Sequence, residues 1–327
     1  MEIALWLLGG LVLLVLGGEL LVRGAVQIAA RLGISPLLVG LTVVAFGTST
    51  PELVTSVQAS LAGSPGIALG NIVGSNIANV LLILGVSALI CPIAVNSRAL
   101  ARDGGLGFLA ALALLAVGLF WTLDRAMGVL LLLALVGYIV FAYQQERVTE
   151  GADHGAAYDK AEAFAAAHPP AFSLSRALGG LPGSILLLVA GLGLIVTGGS
   201  VLVDAAVTLA RAWSVSEEVI GLTIIAVGTS LPELVTSVVA AVRRQADVAL
   251  GNVLGSNIYN ILGIAGATAL IAPTDVPASI ATFDTPIMVA ASLLVLVVAR
   301  TGWRVGRREG GVLLACYVAY VWSAWPA

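Results

Sequence analysis

The chain has 327 residues, 59% hydrophobic and only 10% charged, with a mean hydropathy of +1.07 and a net charge of −3. A soluble domain carries about 25% charged residues, so a water-soluble globular protein is excluded and an integral membrane protein is expected. No basic patch invites nucleic acid, and the two cysteines, Cys91 and Cys316, offer neither metal-ligand spacing nor a disulfide framework.

Apolar runs of bilayer length fall at 3–23, 37–62, 67–91, 105–122 and 125–143, and again at 183–209, 216–241, 248–272, 281–299 and 309–325. The first has no basic segment before it and reads as a membrane helix, not a cleaved signal. Ten spans in two sets of five are expected, with domains 1–143 and 183–327 joined by a polar linker, 144–182. The linker holds His154, His168 and the segment DKAEAFAAA, in which one or two helical turns are expected. Both histidines read as solvated loop residues.

Ten spans sort the basic residues onto two sides. Arg23, Arg31, Arg98, Arg102, Arg147, Lys160, Arg176, Arg243, Arg244, Arg300, Arg304, Arg307 and Arg308 fall on one side, and only Arg125 and Arg211 on the other. The positive-inside rule then puts the linker in the cytoplasm and both termini outside. Glu19 and Arg23, four apart, read as a local ion pair.

Shifting the sequence by 181 lays residues 40–85 on 221–266 without a gap, with 27 of 46 positions identical. Each half has an odd number of spans, so the second half is expected to be inverted relative to the first. Inverted repeats are the construction of many secondary transporters, whose sites lie where the halves meet. No Walker loop of a nucleotide-driven pump is visible.

Both copies place a carboxylate inside a bilayer-length run: Glu52 in GTSTPELVTS (47–56) and Glu233 in GTSLPELVTS (228–237). Such burial costs about 3 kcal/mol even on lenient insertion scales. Thr48, Glu52 and Ser56 are four apart and share a helix face, as do Thr229, Glu233 and Ser237. Pro51 and Pro232 lack an N–H, so the helices are expected to break near Gly47 and Gly228, freeing carbonyl oxygens. The next span adds Asn71, Ser75 and Asn79 on one face, and its copy adds Asn252, Ser256 and Asn260. Gly70, Gly74, Gly251 and Gly255 allow close helix approach.

These groups are oxygen donors without His or Cys, a set suited to Ca²⁺, Na⁺ or Mg²⁺ and not to zinc or copper. Mg²⁺ prefers to keep its waters, so an all-protein cage leans towards Ca²⁺. A single buried Glu is readily explained as a protonated structural acid; two repeat-related ones with matched polar faces point to a shared cation. Ser56, Thr55, Ser237 and Thr236 are open to a plainer account, bonding back to their own helix.

The paired GTS-x-PELVTS and GN-x-x-GSNI-x-N motifs resemble the alpha repeats of the cation/Ca²⁺ exchanger superfamily, specifically the short prokaryotic Na⁺/Ca²⁺ exchanger type. The resemblance implies an all-α fold of ten transmembrane helices as two inverted five-helix repeats, with discontinuous helices 2 and 7 at the centre. It implies that Glu52 and Glu233 bind Ca²⁺ and share Na⁺ sites. It adds Thr48, Ser49, Ser75, Asn79, Thr229, Ser230, Ser256 and Asn260 as ligands, with backbone oxygens near Ala45 and Ala226. The first and sixth helices would slide past the rest, over Gly17-Gly18 and Gly198-Gly199.

Some relatives carry Asp where Asn79 and Asn260 stand, which counts against a K⁺-dependent branch. The proton-coupled branch usually carries a Glu after the GN pair, whereas Ile72-Val73-Gly74 and Val253-Leu254-Gly255 hold no acid. The expected function is Na⁺/Ca²⁺ antiport in a prokaryotic inner membrane. No cofactor, no enzymatic activity and no large regulatory domain in the linker are expected; oligomeric state is left open. The alternative is Ca²⁺/H⁺ antiport on the same fold. A passive cation channel is a more distant reading, and an intramembrane protease lacks paired aspartates, a Ser/His pair or HExxH.

Overall fold

The structure is a computed structural model and describes residues 2–95, 100–148, 180–212, 226–300 and 302–324. The histidines, the DKAEAFAAA segment and the start of the expected seventh span lie outside these residues. The helices are α1 (Glu2–Leu32), α2 (Pro36–Thr48), α3 (Thr50–Leu61), α4 (Pro65–Ile90), α5 (Leu100–Phe120) and α6 (Arg125–Val148). They continue as α7 (Leu181–Ala212), α8 (Ala226–Thr229), α9 (Leu231–Val242), α10 (Ala246–Ile271), α11 (Ile280–Arg300) and α12 (Arg307–Ala324).

Among the described residues, seven helices are long and apolar enough to cross a membrane, or eight if the bent pair α2–α3 counts as one span. Two expected spans fall short of that measure. The residues ahead of α8 and α9 lie outside the described set, and α12 opens on Arg307-Arg308-Glu309.

α2 begins where Pro36 presets the first turn and the Ser35 hydroxyl accepts the N–H of Leu38 at 3.1 Å. It ends at Ser49, whose backbone leaves the helix (φ −85°, ψ 11°), and α3 departs at 45° with Pro51 in its first turn. α8 and α9 break in the same way at Ser230 (φ −90°, ψ 7°). The expected breaks are therefore present, two residues beyond the glycines. α4 and α10 each contain a wide π-turn, Ala78–Ile83 and Tyr259–Ile264, related by the shift of 181.

α4 and α10 are buried over most of their length, whereas α1, α5, α6, α7 and α11 are not. Outward Leu, Val, Phe and Trp side chains on those outer helices suit a lipid solvent. α3 and α12 pack on α4, and α9 and α6 on α10. Two short strand contacts join loops: β1 (Ile93–Ala94) with β2 (Arg304–Val305), and Leu123 with Thr274. The shift of 181 carries the first onto the second with the register one residue out.

α1 and α7 run side by side with their backbones nearly touching. A Cβ at Gly191 would lie 2.4 Å from the nitrogen of Leu21, and one at Gly10 would lie 2.9 Å from the carbonyl oxygen of Gly198. Gly17 meets Gly191 and Gly24 meets Ser184 and Leu188, so the pairing is antiparallel at seven-residue intervals. Glu19 forms the expected ion pair with Arg23, and Arg243 at the end of α9 joins it.

Candidate functional site

The two helix breaks and the middles of α4 and α10 meet at the centre. Thr48, Ser49, Glu52, Ser75, Asn79, Ser230, Glu233, Ser256 and Asn260 are all buried there. Thr229 is half-buried at the end of α8, and Ala226 begins that helix. Glu52 and Glu233 are the two carboxylates of this centre. Among the described residues, no third His, Cys, Asp or Glu joins them.

The hydrogen bonds cross between the repeats. Ser49, at the first break, donates to Glu233 Oε1 at 2.7 Å; Ser230, at the second, donates to Glu52 Oε1 at 3.2 Å. Thr48 donates to Asn252 Oδ1 at 3.2 Å, and Thr229 donates to Asn71 Oδ1 at 3.3 Å. Each Glu is thus held by a hydroxyl that the break in the other repeat turns towards it. Seryl Oγ at 75 lies 3.3 Å from the Ser230 hydroxyl.

A second group of buried polar atoms has no hydrogen-bond partner among the described residues: Oε2 of Glu52 and of Glu233, Oγ of Ser256, Oδ1 of Asn79, and both amide atoms of Asn260. Unpaired buried polar groups cost about 1–3 kcal/mol each, and carboxylates cost more. A chain retains such a set where something else satisfies it. Asn79 and Asn260 sit in the two π-turns, a geometry frequent at functional sites.

The Ala45 carbonyl accepts the N–H of Ser49 at 3.0 Å and lies 3.4 Å from the Thr48 hydroxyl, so helix bonding already engages it. Ser56 and Ser237 reach the neighbouring helices: they accept Asn71 Nδ2 and Asn252 Nδ2, both at 2.9 Å. The sequence counted these two asparagines among the oxygen donors of the polar face; here their amide nitrogens hold Ser56 and Ser237. Asn76 and Asn257 were missed, yet Asn257 Oδ1 accepts the Asn79 amide at 3.0 Å.

Fold and centre define a polytopic helical membrane protein with two buried carboxylates inside a ring of hydroxyl and amide groups. The chain belongs to the sodium/calcium exchanger protein family, whose sequence profile matches residues 2–144 and 183–325. It is 38% identical to the sodium/calcium exchanger MaX1 of Methanosarcina acetivorans, with 96% of each chain covered. It is 36% identical to the inner membrane protein YrbG of Escherichia coli, over 97% of this chain and 94% of that one. The structure of the sodium-calcium exchanger NCX_Mj soaked with 2.5 mM Na⁺ and 0.1 mM Ca²⁺ superposes with a TM-score of 0.83 at 31% identity, covering 100% and 99% of the two chains.

Proposed function

We propose that the chain is a secondary antiporter that exchanges Na⁺ for Ca²⁺ at the central cage by alternating access. The observation that carries this reading is the set of unpartnered oxygens on Glu52, Glu233, Ser256, Asn79 and Asn260, a hard-donor set fit for Ca²⁺ or Na⁺. Ca²⁺ neutralises both carboxylates at once; Na⁺ ions divide the same oxygens among themselves. A cage holding neither leaves two like charges in a low-dielectric centre, which opposes reorientation and ties the two fluxes together.

Thr48, Ser49, Ser75, Thr229 and Ser230 complete the ligand set in this reading, with backbone oxygens near Ala45 and Ala226. The fold it requires is ten spans in two inverted five-helix halves, 1–143 and 183–327, joined by the linker 144–182. The Arg and Lys bias puts that linker in the cytoplasm and both termini outside, and the relation to an E. coli inner membrane protein supports a prokaryotic inner membrane. The absence of an acid at 72–74 and 253–255 favours Na⁺ over H⁺ as the coupling ion.

The test is Ca²⁺ uptake into proteoliposomes loaded with Na⁺, with and without a protonophore. Uptake that needs the outward Na⁺ gradient and survives the protonophore is expected. Uptake indifferent to Na⁺ and lost with the pH gradient would transfer the chain to Ca²⁺/H⁺ antiport, with one Glu as proton carrier. Flux without any counter-ion would make it a channel.

A further inference from the structure

The GSNI-x-N motif puts two asparagines three residues apart in each half: Asn76 and Asn79 on α4, Asn257 and Asn260 on α10. All four are buried, and the shift of 181 carries the first pair onto the second. Their hydrogen bonds do not follow the shift. Asn79 Nδ2 donates to Asn257 Oδ1 at 3.0 Å. The equivalent bond would run from Asn260 Nδ2 to Asn76 Oδ1, and both of those atoms are without a partner among the described residues.

The difference lies in where Asn257 and Asn76 turn. Asn257 reaches across to the other helix, its Nδ2 donating to the backbone carbonyl of Asn76 at 3.4 Å. Asn76 turns back on its own helix and donates to the carbonyl of Ile72, one turn earlier, at 2.7 Å. A carbonyl only accepts, so the nitrogen end of each amide is fixed. Asn257 must therefore offer its oxygen to Asn79, and Asn79 must answer with its nitrogen, which leaves the Asn79 oxygen for a cation. Reversing the Asn79 amide would set oxygen against oxygen at Asn257 and turn N–H groups towards the ion. Asn260 has no such anchor among the described residues, so nothing there chooses between its two ends.

We propose that Asn257 is a positioning residue: it holds Asn79 with its oxygen presented to the bound cation, while Asn76, in the matching place beside Asn260, does not. The cage then carries one amide oriented in advance and one that the ion itself must orient. Asn257 is not a ligand, because its own oxygen is turned to Asn79. This rests on the exchange reading above and adds to it how one ligand of the site is set by the other half. Outer-shell partners of metal ligands typically change affinity by 10–100-fold.

The experiment is equilibrium Ca²⁺ binding to the purified full chain, with melting in ion-free buffer measured beside it. Asn257→Leu keeps the size of the side chain and removes both polar ends, and is expected to weaken Ca²⁺ binding roughly tenfold. Asn257→Ala is the second variant, should Leu not fit the place. Asn257→Asp still turns an oxygen to the Asn79 amide and is expected to bind Ca²⁺ at least as tightly as the native chain. Asn76→Leu is expected to leave affinity unchanged. A lower melting temperature with intact affinity in Asn257→Leu would make the residue structural and overturn the positioning role. Equal losses in Asn257→Leu and Asn257→Asp, or in Asn257→Leu and Asn76→Leu, would overturn it too, with Ca²⁺ binding by the native chain still standing. A native chain that binds no Ca²⁺ would overturn the exchange reading, and this inference with it.

Discussion

The two halves of the molecule carry one motif and finish it differently. Ser49 holds Glu233 at 2.7 Å, whereas Ser230 reaches Glu52 at 3.2 Å and also neighbours Ser75. Asn252 and Thr48 are buried, whereas Asn71 and Thr229 are half-buried. Phe46 lies on Tyr259 with ring centroids 4.0 Å apart, and the positions equivalent to that pair are Val227 and Ala78. Duplication supplies two matching sets of oxygens, and the surrounding packing makes them unequal. In the exchange proposed above, ions of different charge and number would be served by unequal oxygens.

The largest expected effect tests whether both halves are needed. Glu52→Gln and Glu233→Gln should each abolish Ca²⁺ exchange while the protein still elutes as a folded species. Residual exchange in either variant, measured by isotope flux, would assign the site to a single half.

Next come the acids of α5 and α11, also related by the shift. Asp103 is buried against Nε and Nη2 of Arg102, at 2.5 and 2.9 Å, and the Tyr138 hydroxyl, at 2.9 Å. Asp284 is more exposed and accepts from Tyr320 at 2.8 Å. Removing one partner of a buried ion pair typically costs about 3 kcal/mol, and losing a single hydrogen bond about 1 kcal/mol. Asp103→Asn should therefore lower the melting temperature clearly more than Asp284→Asn does, and equal shifts would erase this difference between the halves.

A smaller effect separates Asn79 from Asn260. Asn79 donates to Asn257, so Asn79→Ala should cost about 1 kcal/mol of stability as well as ion affinity. Asn260 has no partner among the described residues for either amide atom. Asn260→Ala should leave ion-free melting unchanged and still raise the Na⁺ concentration for half-maximal exchange. The smallest effect concerns the turns after α3 and α9. Gly63 has φ +72°, and its counterpart Arg244 has φ +59°, a region a Cβ disfavours by about 1 kcal/mol. Arg244→Gly should be neutral to slightly stabilising in thermal melts, whereas Gly63→Arg should destabilise.

Much of the centre was legible because carboxylates in apolar runs are rare and these two come with the same neighbours. Periodicity placed Thr48, Glu52, Ser75 and Asn79 on faces, and the structure gathers those faces. It could not say which groups would pair, since a face does not name its partner; the crossing of Ser49 to Glu233 needs the fold. The π-turns were invisible because Ala78–Ile83 reads as ordinary apolar helix. Asp103 was lost for a different reason. The fourth span was expected to start at 105, which left the residue in a basic loop, but the helix starts at Leu100 and buries it.

The glycine seam between α1 and α7 has one further consequence. Gly10 meets Gly198 and Gly17 meets Gly191, and under the shift of 181 those two contacts are the same contact made twice. Such a surface is self-complementary, the arrangement found at an isologous interface between identical subunits. In a true homodimer any substitution there falls on both sides at once, so a bulkier residue at Gly10 would spoil both contacts together. Joined in one chain, each side can change alone, and Ala205, where the shift of 181 carries the seam residue Gly24, shows a position where one already has.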